Sequence, residues 1–388
     1  MENLFVFTPL EIILLIATGF FFLIQLLYWL VTYARPLRKL KKIRASEPEQ
    51  WQAISVVVYA KNESENLRKH LPALLTQDYP EYEVVVVNDG STDESDEVLK
   101  TLEQEYPHLY HTYIPEDVKY LSRKKLALTV GIKAAKHKYI LFTEANCEPL
   151  TNRWIHSIAK AYRPDTEIVL GFCAYRYNRG LKHQLIAYDN LLDGLQYLSS
   201  ALKRHPFTGN GRNLSYRKEL FFEHKGYQKS LGLHAGDDDL FINESANREN
   251  TKVTYTPDSI TQMSKIERFR VWREMKVSRA ATQRYYKGTA LTYYRLEPVT
   301  HLLLLLATVA TIVVSLSGNW LAGVIAGVLL LLRYLTKAVI LHKSAKMLQQ
   351  KPTTVWLFLL EIIKPIFSLY TRIYRLFRGK NDYTFRLS

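Results

Sequence analysis

Apolar residues are concentrated at both ends of the chain, and between these ends they occur in short runs separated by polar stretches. Near the amino terminus, residues 10–31 are almost wholly apolar, which is long enough to cross roughly 30 Å of hydrocarbon as a helix. Glu2 and Glu11 flank its start, whereas lysines and arginines follow it. This asymmetry predicts an external amino terminus, a membrane anchor over 1–34 and a basic juxtamembrane linker over 35–50 on the cytoplasmic side.

The carboxyl-terminal part of the chain shows the same apolar pattern. We expect a transmembrane hairpin over 296–341, formed by residues 301–317 and 320–341. A basic tail over 342–388 contains a third apolar stretch, which is interrupted by Glu361, Lys364 and Pro365. A full crossing would place the basic end of the tail outside the cell, so the sequence favours an interfacial or re-entrant helix, with a further transmembrane helix as the alternative.

The middle of the chain alternates buried strands with helices. Residues 84–87 are four consecutive valines, which is typical of a central strand buried on both faces. Further predicted elements follow the same alternation: strands at 54–59, 111–114 and 139–143, and helices at 64–75, 94–106 and 124–135. The sequence therefore predicts an α/β fold with a doubly wound parallel sheet.

Polar turns follow the predicted strands. The valine strand ends at Asn88-Asp89-Gly90, where Asp and Gly favour a tight turn, and Ser91 or Asp93 can cap the next helix. In open α/β sheets, ligands bind outside the carboxyl ends of the strands. We interpret this turn as the floor of a nucleotide pocket.

The net charge of +15 suits either nucleic acid or an anionic membrane surface. The sequence has no compact basic and aromatic repeat typical of RNA-binding modules, and its basic residues crowd the apolar ends, so we expect membrane lipids and no nucleic acid as partners. The two cysteines, Cys147 and Cys173, form no CxxC pair, which favours a reducing, cytoplasmic side.

Several motifs occur in the order and spacing of the family 2 inverting glycosyltransferases. They are V-V-V-Y-A-K-N-E, V-V-V-N-D-G-S-T-D, K-K-L-A-L-T-V-G-I, I-L-F-T-E-A-N-C-E-P, G-N-G-R-N-L-S-Y-R-K and G-D-D-D-L-F. The resemblance covers about residues 55–287. It implies a GT-A fold for 51–265, which is a Rossmann-like, doubly wound mixed sheet with helices on both faces, and a nucleotide-sugar donor.

The resemblance also implies roles at the donor side. Asp89 resembles the family's base-binding aspartate, and Ala60 and Glu63 border the same base. Lys124 and Lys125 are candidates for the phosphates, with a solvated helix face as the alternative.

Glu144-Ala145-Asn146 stands where the family usually carries Asp-x-Asp. Glu144 keeps the charge and Asn146 keeps only an oxygen, so the resemblance implies a weakly held Mg²⁺ or Mn²⁺. The alternative is that both residues only shape the turn.

The resemblance places the catalytic base in Gly236-Asp237-Asp238-Asp239. Attack by an acceptor hydroxyl needs a carboxylate near the hydroxyl proton. Asp238 is the best match to the catalytic aspartate and Asp237 the second. The alternative is an acidic helix amino terminus before residues 240–248, a role that also suits Asp239.

Two further segments are candidates for acceptor or phosphate contacts. In the glycine-rich loop these are Gly209, Asn210, Arg212 and Asn213, with a tight turn into a strand as the alternative. An amphipathic helix at 269–286, within an interfacial region over 266–295, carries Lys276 and Arg279, and we expect it to lie in the headgroup layer. It lacks the Gln-x-x-Arg-Trp of processive relatives.

Together, these features predict an inverting glycosyltransferase of the cytoplasmic membrane. It would transfer a sugar, by preference from a UDP-sugar, to a lipid-linked or cell-envelope glycan acceptor. One alternative is a processive polysaccharide synthase, and another is a non-catalytic nucleotide-sugar-binding scaffold.

Overall fold

A computed structural model of the protein describes residues 6–43, 51–115 and 122–377. The predicted linker residues 44–50 and the end of the basic tail, 378–388, therefore lie outside the described residues. In the described part, ten strands occur in chain order: β1 Ile54–Ala60, β2 Tyr82–Asn88, β3 Leu109–Tyr113, β4 Tyr139–Glu144, β5 Cys147–Pro149, β6 Ile168–Leu170, β7 Cys173–Tyr175, β8 Leu214–Arg217, β9 Thr251–Val253 and β10 Thr261–Met263.

Seven of these strands form one mixed sheet, in the order β3-β2-β1-β4-β8-β6-β9. The first four are parallel, and their register aligns Val57 of β1 with Val85 of β2 and Phe142 of β4. Strand β8 is antiparallel to both of its neighbours. The predicted mixed, doubly wound sheet is therefore confirmed.

Helices cover both faces of this sheet. They are α3 Ser64–Leu75, α4 Ser95–Glu105, α5 Arg123–Ala134, α6 Trp154–Ala159, α7 Leu181–Leu202, α8 Lys218–Glu223 and α9 Asp239–Ser245. Because side chains alternate along a strand, Val56 and Val58 pack with α3 and α6, whereas Val57 packs on the opposite face with α5 and α7. Alternation therefore divides the core into two layers.

A second, three-stranded sheet has the order β5-β10-β7. It follows directly from the end of β4, since only Ala145 and Asn146 separate β4 from β5. This small sheet extends the edge at which β1, β2 and β4 end.

The remaining helices lie toward the two ends of the chain. They are α1 Pro9–Leu26, continued by a π-helix at Leu27–Tyr33, α2 Arg35–Ile43, α10 Phe269–Thr282, α11 Ala290–Ser315, α12 Trp320–Met347 and α13 Leu357–Leu376. Among the described residues, four segments are long and apolar enough to cross a membrane: Pro9–Lys41, Ala290–Ser315, Trp320–Met347 and Thr354–Leu376. This is consistent with membrane association.

Helices α1, α11 and α12 pack against one another. Thr18 of α1 lies 3.2 Å from Thr311 of α11 between their hydroxyl oxygens. The Glu11 carboxylate at the start of α1 accepts a hydrogen bond from the Asn319 amide in the α11–α12 turn at 2.6 Å. The beginning of α1 and this turn are therefore at the same end of the bundle.

Helix α10 packs against α13. Trp272 of α10 is buried and stacks on Phe367 of α13, with ring centroids 4.4 Å apart. Helix α13 thus covers one side of α10, and the prediction that α10 lies in the headgroup layer stays a prediction. The exposed apolar stripe belongs to α13 and contains Phe358, Ile362, Ile366, Leu369, Ile373 and Leu376.

Candidate active site

The carboxyl ends of the three central parallel strands form one edge. Tyr59, the second-last residue of β1, is in register with Glu144 at the end of β4, and Ala60 is in register with Asn88 at the end of β2. Asp89 follows directly and donates its backbone N–H to the Ala60 carbonyl at 2.8 Å. The turn after β2 and the end of β4 therefore flank the end of β1.

Asp89 is buried and has three cationic or hydroxyl partners. Tyr59 donates its hydroxyl to Oδ2 at 2.8 Å, Arg123 donates Nε to Oδ1 at 2.7 Å, and Lys61 lies 3.7 Å from Oδ2. Burial and the adjacent Asp89 charge raise the pKa of Tyr59, so it stays a hydroxyl donor. These contacts hold the Asp89 carboxylate in the turn after β2, where the floor of the nucleotide pocket was predicted.

Glu144 lies among cations. Lys124 donates Nζ to Glu144 Oε1 at 2.8 Å and lies 3.1 Å from Asp237 Oδ2, and Arg212 Nε is 2.8 Å from Glu144 Oε2. Although burial alone would raise it, Arg212 and Lys124 lower the pKa of Glu144 to about 2. Glu144 is therefore ionised at neutral pH.

The three aspartates before α9 have different surroundings. Asp238 accepts the Asp239 amide on Oδ1 at 2.6 Å and the Gly211 amide on Oδ2 at 2.9 Å, so it caps the helix and holds the glycine-rich loop. Burial would raise its pKa, but Arg279 and Lys124 hold the pKa of Asp238 below its usual value. Asp237 faces Lys124 and lines the same small cavity as Tyr59 and Glu144.

Asp239 belongs to a network with α10. Its Oδ2 accepts hydrogen bonds from the Thr282 hydroxyl and, at 2.8 Å, from the Tyr286 hydroxyl. Burial and the neighbouring Asp238 charge raise the pKa of Asp239. The alternative interpretation of Asp239, a structural residue at the helix start, therefore agrees with its contacts.

Arg279 reaches the site from α10. Its guanidinium lies 3.6 Å from Asp238 Oδ2 and donates to Thr208 Oγ1 at 2.9 Å and to the Gly209 carbonyl at 3.1 Å. In the same loop, Asn210 Oδ1 accepts the Arg212 amide at 3.1 Å. The structure thus brings Gly209, Asn210, Arg212 and Arg279 to the aspartate side of the site.

Three predicted site residues are engaged elsewhere. Lys125 is buried, and its ammonium donates to the carbonyls of Ser230 and Leu233 at 2.6 and 2.9 Å. Burial lowers the pKa of Lys125 to about 8. Lys276 pairs with Asp189 and Asp193 of α7 at 2.7 and 2.8 Å. Both lysines hold protein segments together, so neither faces the Glu144 cluster.

Asn213 is the third predicted site residue that is engaged elsewhere. It is fully buried and donates Nδ2 to the carbonyls of Phe172 and Ser259 at 2.8 and 2.7 Å, while its Oδ1 accepts the Trp154 indole N–H at 3.2 Å. These bonds join the two sheets. The contacts favour the structural alternative for this residue.

Replacing Asn213 with Ala is expected to destabilise the fold by about 3 kcal/mol, because three buried hydrogen bonds are lost, those to the Phe172 and Ser259 carbonyls and that from the Trp154 indole N–H. Thermal unfolding of the purified variant checks this, with exposed Asn152→Ala as the matched control. Unfolding unchanged from the parent protein would contradict the structural role.

The remaining predicted residues lie along the same edge. Glu63 precedes α3, accepts a hydrogen bond from Asn66, and has its pKa raised by burial. Asn146 is half-buried, its Oδ1 accepts the Cys147 thiol at 3.2 Å, and its carbonyl accepts the Ser264 amide. Neither residue contacts Glu144 directly through a hydrogen bond in the described part of the chain.

These residues do not fit a preformed divalent-metal site. Both Glu144 oxygens already face cations, and Asn146 brings no charge. Within 6–43, 51–115 and 122–377, no group of three His, Cys, Asp or Glu residues could hold a metal ion. The expectation of Mg²⁺ or Mn²⁺ at Glu144 and Asn146 therefore stays an untested prediction.

Sequence reasoning missed Tyr59 and Arg123 as site residues, and also Tyr286. Tyr59 breaks a run of apolar residues at the end of β1, and Arg123 precedes the two lysines that were singled out. Both signals were present in the sequence. Tyr286 lies 47 residues from Asp239, so only the packing of α10 brings the two together.

The edge just described can be compared with known proteins. Residues 55–223 match the model of Glycosyl transferase family 2. The chain is 28% identical over 126 residues to a poly-beta-1,6-N-acetyl-D-glucosamine synthase of Staphylococcus epidermidis, covering 32% of this chain and 29% of that protein. It is also 28% identical over 130 residues to the glycosyltransferase AglE of Haloferax volcanii, covering 33% and 41%.

The structure resembles the mannosyltransferase PcManGT from Pyrobaculum calidifontis, solved in complex with GDP-Man and Mn²⁺. The TM-score is 0.60 at 20% identity, over 95% of this chain and 99% of that one. This likeness shows a common fold. With the sheet order, it shows that the chain has a GT-A fold, within which residues 55–223 match the family 2 glycosyltransferase model, and the described residues also include four helices apolar enough to span a membrane.

Proposed function

We propose that this protein is a membrane-associated inverting glycosyltransferase. It transfers one sugar from a nucleoside diphosphate-sugar, by preference a UDP-sugar, to a lipid-linked or cell-envelope glycan acceptor at the cytoplasmic membrane face. The observation that carries the proposal is the meeting of Asp89, Glu144 and Asp237 at one sheet edge, linked through Tyr59 and Lys124.

The donor's parts match different sides of this edge. The Asp89 carboxylate is a hydrogen-bond acceptor for the base, and Tyr59 and Arg123 hold it in place. The diphosphate is proposed to lie beside Lys124 and Arg212, because phosphate oxygens pair well with ammonium and guanidinium groups. The anomeric carbon then faces the aspartates before α9.

Transfer is a single displacement. The acceptor oxygen forms a bond to the anomeric carbon as the bond to the diphosphate breaks, and the hydroxyl proton passes to an aspartate. Attack opposite the leaving group inverts the anomeric configuration.

The contacts favour Asp237 as the base, although the motif register ranked Asp238 first. Both oxygens of Asp238 accept backbone amides, and its lowered pKa makes it a weaker base. Asp237 Oδ2 faces only Lys124 among the described residues. We therefore assign proton acceptance to Asp237 and positioning of the loop and helix to Asp238.

The membrane helices support an amphiphilic acceptor. Arg279 of α10 lies 3.6 Å from Asp238 Oδ2, and α13, which carries the exposed apolar stripe, covers α10. We propose that α13 lies in the membrane interface with the sheet domain in the cytoplasm. Only one helix then separates the lipid boundary from Asp238.

A donor screen tests this function. The full-length protein in detergent is incubated with UDP- and GDP-sugars and membrane extract as acceptor, and release of nucleoside diphosphate is measured. We expect release from one donor class and a product one sugar larger. A ladder of long products would instead favour the processive synthase, a candidate suggested by the name of the S. epidermidis relative. No release from any donor would favour the scaffold alternative.

Asp89→Asn is expected to weaken donor binding by about 10-fold, since a charged hydrogen-bond acceptor becomes a neutral one. The effect should fall mainly on the donor KM rather than on kcat, because Asp89 lies away from the aspartates before α9. Steady-state kinetics with varied donor checks this. A donor KM equal to that of the parent protein would refute base binding by Asp89.

A further inference from the structure

Lys124 lies between two carboxylates at the place where the donor's diphosphate is proposed to bind. Its Nζ is 2.8 Å from Glu144 Oε1 and 3.1 Å from Asp237 Oδ2. The other oxygen of Glu144 is 2.8 Å from Arg212 Nε. Both oxygens of the carboxylate expected to bind a metal ion therefore already have a cation beside them.

These cations are held in place by the fold. Lys124 is in the first turn of α5, and its Nζ lies 5.7 Å from the centroid of the Tyr59 ring. The backbone carbonyl of Arg212 accepts the hydroxyls of Thr143 and Thr261 at 3.3 and 3.0 Å. The side chain of Arg212 is mostly buried. The positive charges thus sit on anchored backbone rather than on a mobile loop.

Both groups keep donors for a further anion. An ammonium has three N–H donors, and Glu144 and Asp237 account for two of those on Lys124. Within the described residues, Arg212 has one side-chain contact, at Nε, which leaves its two terminal amino groups to donate. Phosphate oxygens are suitable acceptors for both.

A divalent ion would meet repulsion at the same place. Mg²⁺ and Mn²⁺ require several oxygen ligands, best when anionic. Glu144 is shared between two cations, and Asn146, the second expected ligand, is uncharged. A metal ion within bonding distance of Glu144 would therefore have to displace Lys124 or Arg212.

We infer that Lys124 and Arg212 together supply the positive charge that binds the donor's diphosphate, and that this binding does not need a divalent metal ion. The inference rests on the proposed function, because it concerns the donor side of the same site. It assigns Glu144 a different role from metal binding: its charge orients the two cations.

Isothermal titration of the full-length protein in detergent with UDP and with GDP tests the inference. In the presence of EDTA we expect one of the two nucleotides to bind, and added Mn²⁺ to change its Kd by less than about threefold. Lys124→Gln should weaken binding about 10- to 100-fold, as expected for loss of a charge-assisted contact, with no rescue by Mn²⁺. Lys133→Gln, an exposed lysine on the same helix, is the matched control and should bind normally.

The Glu144→Gln variant distinguishes the two roles considered for Glu144, which are orienting Lys124 and Arg212 or binding a metal ion. If Glu144 only orients Lys124 and Arg212, the Gln side-chain oxygen still accepts from one of them, so binding in EDTA should be retained, at most about 10-fold weaker, and independent of Mn²⁺. If Glu144 binds metal, the variant should lose Mn²⁺-dependent binding. This variant keeps the test decisive even where Lys124→Gln fails to fold.

Binding that occurs only after Mn²⁺ or Mg²⁺ is added would overturn the inference while leaving the proposed function intact. The inference would also be overturned if the Lys124→Gln variant bound the nucleotide as tightly as the parent protein. Absence of UDP and GDP binding with and without metal would instead overturn the proposed function, and the inference with it.

Discussion

Replacing Asp237 with Asn is expected to lower kcat by about 10³-fold, because general-base catalysis commonly contributes 10²- to 10⁴-fold. The amide keeps the size of the side chain but cannot accept the hydroxyl proton. Asp237 lines the small cavity with Tyr59 and Glu144 and faces Lys124. Single-turnover transfer with saturating donor measures the effect on the chemical step.

Asp238→Asn separates catalysis from positioning. Asn is also a good helix cap, but its single side-chain oxygen can accept only one of the Asp239 and Gly211 amides, so we expect a smaller loss, about 10-fold, accompanied by a lower unfolding temperature. Asp165→Asn, an exposed carboxylate, serves as the control for charge alone. If Asp238→Asn abolishes transfer and Asp237→Asn retains it, the base is Asp238, as the motif register indicated.

Replacing Arg333 with Met is expected to destabilise the helical bundle by about 3–5 kcal/mol, because Glu297 and Glu361 would then share only Lys337 and one buried negative charge would be left without a partner. Arg333 of α12 is fully buried and holds both oxygens of Glu361 of α13 at 2.6 and 2.7 Å. It also donates to Gln25 of α1 at 3.0 Å. One side chain thus ties three helices together.

The double variant Arg333→Met with Glu361→Met provides the matched test. It removes one positive and one negative charge and leaves Lys337 facing Glu297 at 3.9 Å, so the local charge stays balanced. We expect it to be more stable than Arg333→Met alone. Thermal unfolding in lipid nanodiscs measures both, with the exposed Lys343→Met as control. A double variant less stable than the single would show that the ion pair is not the stabilising unit.

Local patterns predicted most of the sheet and its helices. The helix predicted at 64–75 is α3 with the same bounds. The strand predicted at the four valines, 84–87, is β2 and runs slightly further, from Tyr82 to Asn88. The strand predicted at 111–114 is β3, which lies slightly earlier, at Leu109–Tyr113. Its bounds were hard to predict because polar residues interrupt the apolar pattern there. The helix predicted over 240–248 ends at Ser245, because Asn247 accepts the amides of Glu249 and Asn250 and forms a turn instead.

The long apolar helices were also visible in the sequence, since long apolar runs need no tertiary context. The predicted span 10–31 lies within α1 and the π-helix that continues it, 320–341 lies within α12, and 301–317 ends two residues beyond α11. The position of α13 against α10 was not visible. It depends on Trp272 stacking on Phe367 and on the buried pair between Arg333 and Glu361, which join residues far apart in the chain.

The alternating α/β core, the apolar ends and the residues that follow each strand can be read from the sequence, because strand period, helix period and motif order are local properties. Which of these residues share a site depends on tertiary packing. Lys124 and Lys125 are neighbours in the sequence, yet the helix turn sends one to Glu144 and the other to a loop carbonyl. Ligand chemistry at Glu144 likewise depends on Arg212, which is 68 residues away and is brought there by the antiparallel pairing of β4 with β8.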